Sequence, residues 1–270
     1  MIVQSNPTGD AHFVMTMSEH TALAGKFAAH FGNEAFEPVQ PRDLMLHVVT
    51  HHDAGWQELD SNPQLDTTTG LPYNLVQTPF EWIIKTSSAS PAFNAAYHPF
   101  CELLSSMHSW GLYNGRYGLS DKVLLDSLSA DFRPAVDEML EYERARQARL
   151  IACLKHNHES ARWVEEETLM RSYKQLQFFD TLALYFNCHH PSERQITEFT
   201  HIPTSAGLDT TVAIEPLTKG RYRLSPYPFD EDELGVQYSG KLLEPRQDAN
   251  IMRDDLASAP VNHQVVYLCS

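Results

Sequence analysis

The densest chemical signal in the chain is His51-His52-Asp53, which ends the run LMLHVVTHHDAG from Leu44 to Gly55 and is followed by Trp56. Apolar residues lie all around the circumference of that run, so it reads as a buried helix. A carboxylate and two imidazoles at its end must be matched, because burying a bare carboxylate costs several kcal/mol or changes its protonation. Either a metal ion or a basic partner meets the demand. An adjacent His and Asp suit a divalent Zn, Mn or Fe ion, the imidazole giving a ring nitrogen and the carboxylate an oxygen. Two residues elsewhere raise the same question. His20 lies in a helical stretch, and Asp180 sits in LQFFDTLALYF, where large apolar neighbours make an unmatched acid expensive.

His108, in LLSSMHSWGLY, shares a helical face with Cys101, Leu104 and Leu112, so its ring points inward. It is a ligand for a second metal, an acid that protonates a leaving alkoxide, or a core histidine hydrogen-bonded to backbone. His98 is offset by ten residues, about 80° around a helix, which does not favour joint ligation with His108. His47 and His51 share a face at i, i+4, a spacing that chelates zinc, yet no HExxH glutamate accompanies them. His51 is therefore a supporting or proton-handling residue, and His47 a packing one. Beside Asp180, Gln177 and Tyr173 fall on one face at i−3 and i−7, with Lys174 one position round. Gln177 is placed to orient a ligand, and Tyr173 or Lys174 to meet an anionic substrate, although Lys174 reads best as part of a solvated face. Trp56, Asp60, Asp66, Tyr73 and Asn74 belong to a Pro-, Gly- and Thr-rich stretch from Gln57 to Thr78, which is expected to be a long ordered loop. It either covers the metal or anchors itself to the core.

The elements that must position these residues are mostly helical up to about residue 190. Thr16-Met-Ser-Glu19 is a capping box that starts a helix over His20 to Phe31, with Gly32 ending it. Pro41 opens the buried helix, and helical patterns resume at Phe80 to Lys85, Pro91 to Tyr97 and Pro99 to Tyr113. Two more follow, from Val123 to about Asn157 with a break near Pro134, and from about Ser160 to Cys188. After His189-His190-Pro191, alternation in TTVAIEPL, GRYRLSPY, LGVQYSGKLL and QVVYLC predicts strands. The expected fold is mainly α, a helical bundle over 16–190 with a small antiparallel sheet over 191–270, α+β overall. Residues 1–15 are expected to join the sheet as an added strand through IVQ or HFVMT. FDEDE, Phe229 to Glu233, reads as a solvated turn.

In the order His20, His52-Asp53, Asp180 on three helices, the chain resembles the HD-domain superfamily of metal-dependent phosphohydrolases. The segments HTALAGKFA, HHDAGWQELD, GLPYNL, SMHSWGLY and LQFFDTLALYF resemble an uncharacterised family of bacterial HD-like proteins, which brings no assigned reaction. The superfamily resemblance implies metal ligands His20, His52, Asp53 and Asp180. Where the common HD motif continues with a small residue and Lys, this chain has Ala54, Gly55 and Trp56, so a phosphate contact from that position is not carried over. The implied activity is hydrolysis of a small phosphate ester or nucleotide-like substrate with a divalent ion (Mn, Fe, Zn or Mg), His108 or His51 handling protons. Some HD-like proteins are di-iron oxygenases, and His108 with His98 or His51 would complete a second iron site. A sensor or binding protein with a structural or lost metal is the third reading.

Composition narrows the partners. Of 270 residues, 35 are acidic and 20 basic, giving a net charge of −15, which disfavours nucleic acid and anionic membrane as bulk partners. No GxGxxG, GxxxxGK[ST] or GxSxG motif is present. Four widely spaced cysteines suggest reduced thiols in a cytoplasmic protein, and neither a basic-apolar leader nor a membrane-length apolar run occurs. A small-molecule substrate is expected, and a homodimer is a fair expectation from its frequency alone.

Overall fold

The computed structural model describes residues 1–9 and 11–270. Strands β1 (Ile2–Val3) and β2 (His12–Met15) precede α1 (Met17–His30). Thr16 is extended and its Oγ1 accepts a hydrogen bond from Glu19 N at 3.1 Å, which satisfies one of the unpaired N–H groups of the first turn. Helix α2 (Arg42–His51) begins after Pro41 and ends just before His52.

The stretch after Trp56 is more ordered than a loop. It holds α3 (Gln57–Ser61) and a hairpin of β3 (Leu65–Asp66) with β4 (Leu71–Pro72). Helix α4 (Phe80–Ala95) runs through Pro91, where the sequence suggested two separate helices. Its buried face of Thr86, Ser87, Ser90, Pro91 and Asn94 packs beside α5 (Pro99–Tyr113), and that burial outweighs the local break. Two long helices follow, α6 (Arg133–Lys155) and α7 (Glu166–Cys188), with one helical turn, His158–Ala161, between them.

The strands overturn the expectation of a mainly α, HD-like bundle with a small carboxyl-terminal antiparallel sheet. Seven strands form one sheet in the order β1-β2-β8-β9-β7-β6-β5, where β5 is Thr197–Pro203, β6 Asp209–Pro216, β7 Arg221–Ser225, β8 Glu233–Leu243 and β9 Val261–Cys269. Both ends of the chain contribute, and β7 pairs with β9 in parallel while the other neighbours are antiparallel. Three physical facts hid this. β1 and β2, within the IVQ and HFVMT segments named as an added strand, are too short to show a period that would place them in a large sheet. The alternation of β5 is broken by a register shift between Phe199 and Ile202, with His201 at φ 61. Helix α8 (Ala249–Ser258), capped by Asp248, separates β8 from β9 in sequence although they pair along their length.

The sheet and helices share a core. Phe27 of α1 lies 6.1 Å from Phe186 of α7 and 6.1 Å from Phe229, and Phe186 meets Tyr222 of β7 edge-on at 4.9 Å. Phe178 of α7 meets Phe199 of β5 at 5.6 Å. Helices α1 and α7 therefore form a middle layer with the sheet on one side and α2 and α5 on the other. His20 and Asp180 belong to the middle layer, His52 and His108 to the outer one, and the functional groups meet at the seam.

Candidate metal centre

Four elements deliver the cluster. His20 comes from the first turn of α1, His52 and Asp53 from the end of α2, His108 from the middle of α5 and Asp180 from the middle of α7. His20, His52, His108 and Asp180 are buried, while the Asp53 side chain keeps 15 % of its surface and marks where the site reaches solvent. His20 Nε2 is 3.2 Å from Asp180 Oδ1. His52 Nε2 lies 3.6 Å from Asp180 Oδ1 and 3.7 Å from Asp53 Oδ2, too far for a hydrogen bond, so it meets both carboxylates as a charge only. His108 Nε2 is 3.7 Å from Asp53 Oδ1.

The donor atoms sort into two sets, His20, His52 and Asp180, and His52, Asp53 and His108, each with its ligand atoms within 4.8 Å of one another. His52 is common to both. Each imidazole is held from behind by its other nitrogen. His20 Nδ1 bonds Asn187 Oδ1 at 2.9 Å, His52 Nδ1 bonds the Val49 carbonyl at 2.8 Å, and His108 Nδ1 bonds Gln177 Nε2 at 3.0 Å. Hydrogen bonds of this kind fix ring orientation and place the Nδ1 proton of His20 and His52 on the outer side, so that Nε2 faces the carboxylates and is free to coordinate once it gives up any proton. For His108 the same result follows when the Gln177 amide is turned over, which also gives a partner to Gln177 Oε1, a buried atom without one.

The electrostatics fit a cation. Burial disfavours charge on His52, yet the carboxylates of Asp53 and Asp180 outweigh it and raise the imidazole to about 9. Burial pushes the Asp180 carboxyl upward, but the His20 hydrogen bond and the charges of His52 and His108 hold it well below the usual carboxylate range. His108 is lowered to about 4 by burial and by repulsion from His52, so it is a neutral imidazole with a lone pair to give. One proton on His52 thus serves two acids, and His52 Nε2 remains a buried atom with no hydrogen-bond partner. A divalent ion within either donor set would satisfy the atoms of that set, His52 included, and the imidazole and carboxylate donors are the types that Zn, Mn and Fe take. The residues fit the group.

Residues 1–245 match the family model described as "Protein of unknown function (DUF3891)". The chain belongs to that family. The matched part of this DUF3891 chain includes the helices that carry the cluster and the sheet as far as β8. No curated protein and no solved structure gives a match.

Other residues singled out by the sequence lie elsewhere. The ring of His51 stacks on His47 at 4.4 Å and on Phe93 at 5.6 Å, and His51 belongs to neither donor set. Trp56 and Tyr73 line a small cavity with Met1 and Trp82, and none of the cluster residues lines it. Asp60 pairs with the Met1 amino group, Asp66 caps its own hairpin turn through Thr68, and Asn74 accepts from Val3 N, so the segment after Trp56 is tied to the amino-terminal strand. Lys174 pairs with Asp209. Tyr173 is fully buried, and its hydroxyl has no hydrogen-bond partner. A second potential cation group, His30 with Asp230 and Glu231 of the FDEDE segment, sits at the surface.

Sequence reasoning missed two contributors. Asn187 lies seven residues after Asp180, two helical turns on and on the same face, so its spacing was available as a signal. Arg116 gave only the weak turn signal of its flanking glycines. It lies in Gly115–Gly118, four consecutive residues with φ of 59, 51, 60 and 85°. For the two non-glycine residues, Arg116 and Tyr117, this left-handed conformation costs roughly 1–3 kcal/mol each. The turn brings Arg116 Nη2 to 3.5 Å from Asp180 Oδ2.

Proposed function

We propose that this protein is a metal-dependent hydrolase of small phosphate esters, and that His20, His52, Asp53 and Asp180 hold the ion. The observation that carries the reading is the convergence of three imidazole nitrogens and two carboxylates from four elements, with the imidazoles braced from behind. Purely structural buried histidines do not need two such sets of matched donors joined at His52. A bound divalent ion supplies Lewis acidity, lowering the pKa of a water and polarising a phosphoryl oxygen.

The chain's own residues do the remaining work. Asn187 and the Val49 carbonyl keep His20 and His52 aimed inward. Asp53, the most exposed of the set, lies on the solvent side, where a substrate would enter. His108, neutral and beside Asp53, offers its lone pair either as a further ligand or as a proton acceptor during attack. The same donor order supports the resemblance to the HD superfamily. Net charge −15 goes with a small substrate rather than a nucleic-acid polymer, and four free cysteines go with a cytoplasmic site of action. No helix among the described residues is long and apolar enough to cross a membrane.

A panel of small phosphate monoesters, assayed with Mn or Mg, tests the reading. Phosphate release by the wild type that falls at least 100-fold in Asp53→Ala supports it; no release with any ester or metal removes it. The sharing of His52 by two donor sets favours one other reading, a di-iron oxygenase, because one ion needs only three or four of the five donors. Iron-dependent oxygen uptake would select that reading.

A further inference from the structure

We infer that Arg116, with Tyr173 beside it, forms the anion subsite of this centre and takes the phosphate oxygens of the substrate. The inference deepens the phosphohydrolase reading and rests on it for the choice of anion. Four observations carry it.

Arg116 approaches Asp180 at the carboxylate oxygen that His20 and His52 do not approach. Its Nη2 is 3.5 Å from Asp180 Oδ2, whereas the two imidazoles approach Oδ1. This contact is long and single, so the guanidinium has further donors uncommitted to Asp180. The Arg116 side chain keeps 19 % of its surface, close to the 15 % of Asp53, and these two mark the way in.

Tyr173 supplies a second donor. It is fully buried on α7, two turns before Asp180, and its hydroxyl has no partner. Burial pushes its phenol upward, with Arg116 and Asp180 among the charges it senses, so it stays an O–H donor. A buried hydroxyl without an acceptor costs stability unless a ligand provides one.

The backbone around Arg116 is strained and held. Tyr117, next in the left-handed turn, packs its ring against Trp110 at 4.7 Å and Tyr173 at 5.0 Å and donates from its hydroxyl to Gln147 Oε1 at 3.0 Å. A Cβ at Gly115 would come within 2.7 Å of the Ser120 carbonyl, so the turn begins at a position that needs glycine. Clamped in this way, the turn keeps the guanidinium beside the ligands, a use of strain that recurs at binding sites.

Finally, the position after the His-Asp pair offers no cation, since Ala54, Gly55 and Trp56 stand there. Arg116 is the one arginine or lysine paired with a cluster carboxylate among the described residues. A planar guanidinium and a phenol hydroxyl match two oxygens of a tetrahedral phosphate whose other oxygens face the metal ligands.

The test is calorimetric titration of inorganic phosphate into the wild type, Arg116→Met and Arg116→Lys, with bound metal measured on the same samples. The expected result is phosphate binding by the wild type, at least tenfold weaker binding by Arg116→Met, an intermediate value for Arg116→Lys, and equal metal per chain in all three. Equal affinity in Arg116→Met, no phosphate binding by the wild type, or loss of metal with the arginine would each overturn the subsite; the last would make Arg116 a positioning residue for Asp180. If Arg116→Met fails to fold, Tyr173→Phe replaces it, with weaker phosphate binding expected and unchanged binding contradicting the proposal. Arg116-dependent phosphate binding without turnover of any ester would leave the subsite standing and remove the hydrolase reading, so the two fail separately.

Discussion

At the scale of single residues, the chain uses histidine in two opposite ways. His52 is drawn toward the charged form by two carboxylates, whereas His47 is lowered to about 4 by burial and by the neighbouring His51, its ring stacked 3.6 Å from that of Tyr97. The sign for His47 is that of a group that refuses a proton in the fold. Above about 6.5 both folded and unfolded chains leave it neutral, and as the pH falls toward 4 the unfolded chain takes up a proton that the folded one does not. Stability attributable to His47 is therefore present above pH 6.5 and lost progressively down to pH 4. Urea midpoints at pH 7 and pH 5 should differ less in His47→Phe than in the wild type; an equal difference would place the acid sensitivity elsewhere. Asp180 stands out in the sequence because its large apolar neighbours cannot match it, and His52 and Asp53 because they end an apolar helix; His20, beside Ser18, Glu19 and Thr21, joins them only through the motif order. Arg116 could not be picked out, because what directs it at Asp180 is a backbone conformation that residue types announce only through two flanking glycines.

At the scale of elements, close approach between α5 and α7 sets the shape of the seam. Gly111 of α5 faces Tyr173 of α7, and a Cβ there would sit 2.1 Å from the phenol oxygen and 3.1 Å from the ring carbon that bears it. The ring is buried and has little room to retreat. Gly111→Ala should therefore cost about 1–3 kcal/mol as overpacking. Adding Tyr173→Phe removes the offending oxygen and should recover part of that loss, read from denaturant midpoints. Failure of the second change to recover any stability would show that the clash lies elsewhere. The helices were largely legible from caps and periodicity: Thr16 caps α1 and Pro41 precedes α2 as the sequence implied. Pro91 misled the reading of α4, because propensity is local and the contact with α5 is not.

At the scale of the whole molecule, the central difference from the sequence reading is the sheet. Alternation revealed β6 to β9 in part, but pairing order, the parallel β7–β9 neighbours and the strands before α1 depend on contacts between distant segments. Phe186 joins those segments, touching Phe27 in α1 and Tyr222 in β7. Phe186→Ala should cost about 3–5 kcal/mol. All four tryptophans, Trp56, Trp82, Trp110 and Trp163, lie outside the seven strands, so tryptophan fluorescence and far-ultraviolet dichroism should lose the same amount of midpoint together. An unshifted fluorescence midpoint would mean that the helical layers stand independently of the sheet. The metal would join α1, α2 and α7 across the same seam, so its presence is the claim on which the account turns. Elemental analysis of wild type and His52→Ala, purified without chelators or an affinity metal, measures it directly. Near-stoichiometric Mn, Fe or Zn is expected in the wild type and is lost in the variant. No metal in either protein, and none taken up on titration, would contradict it.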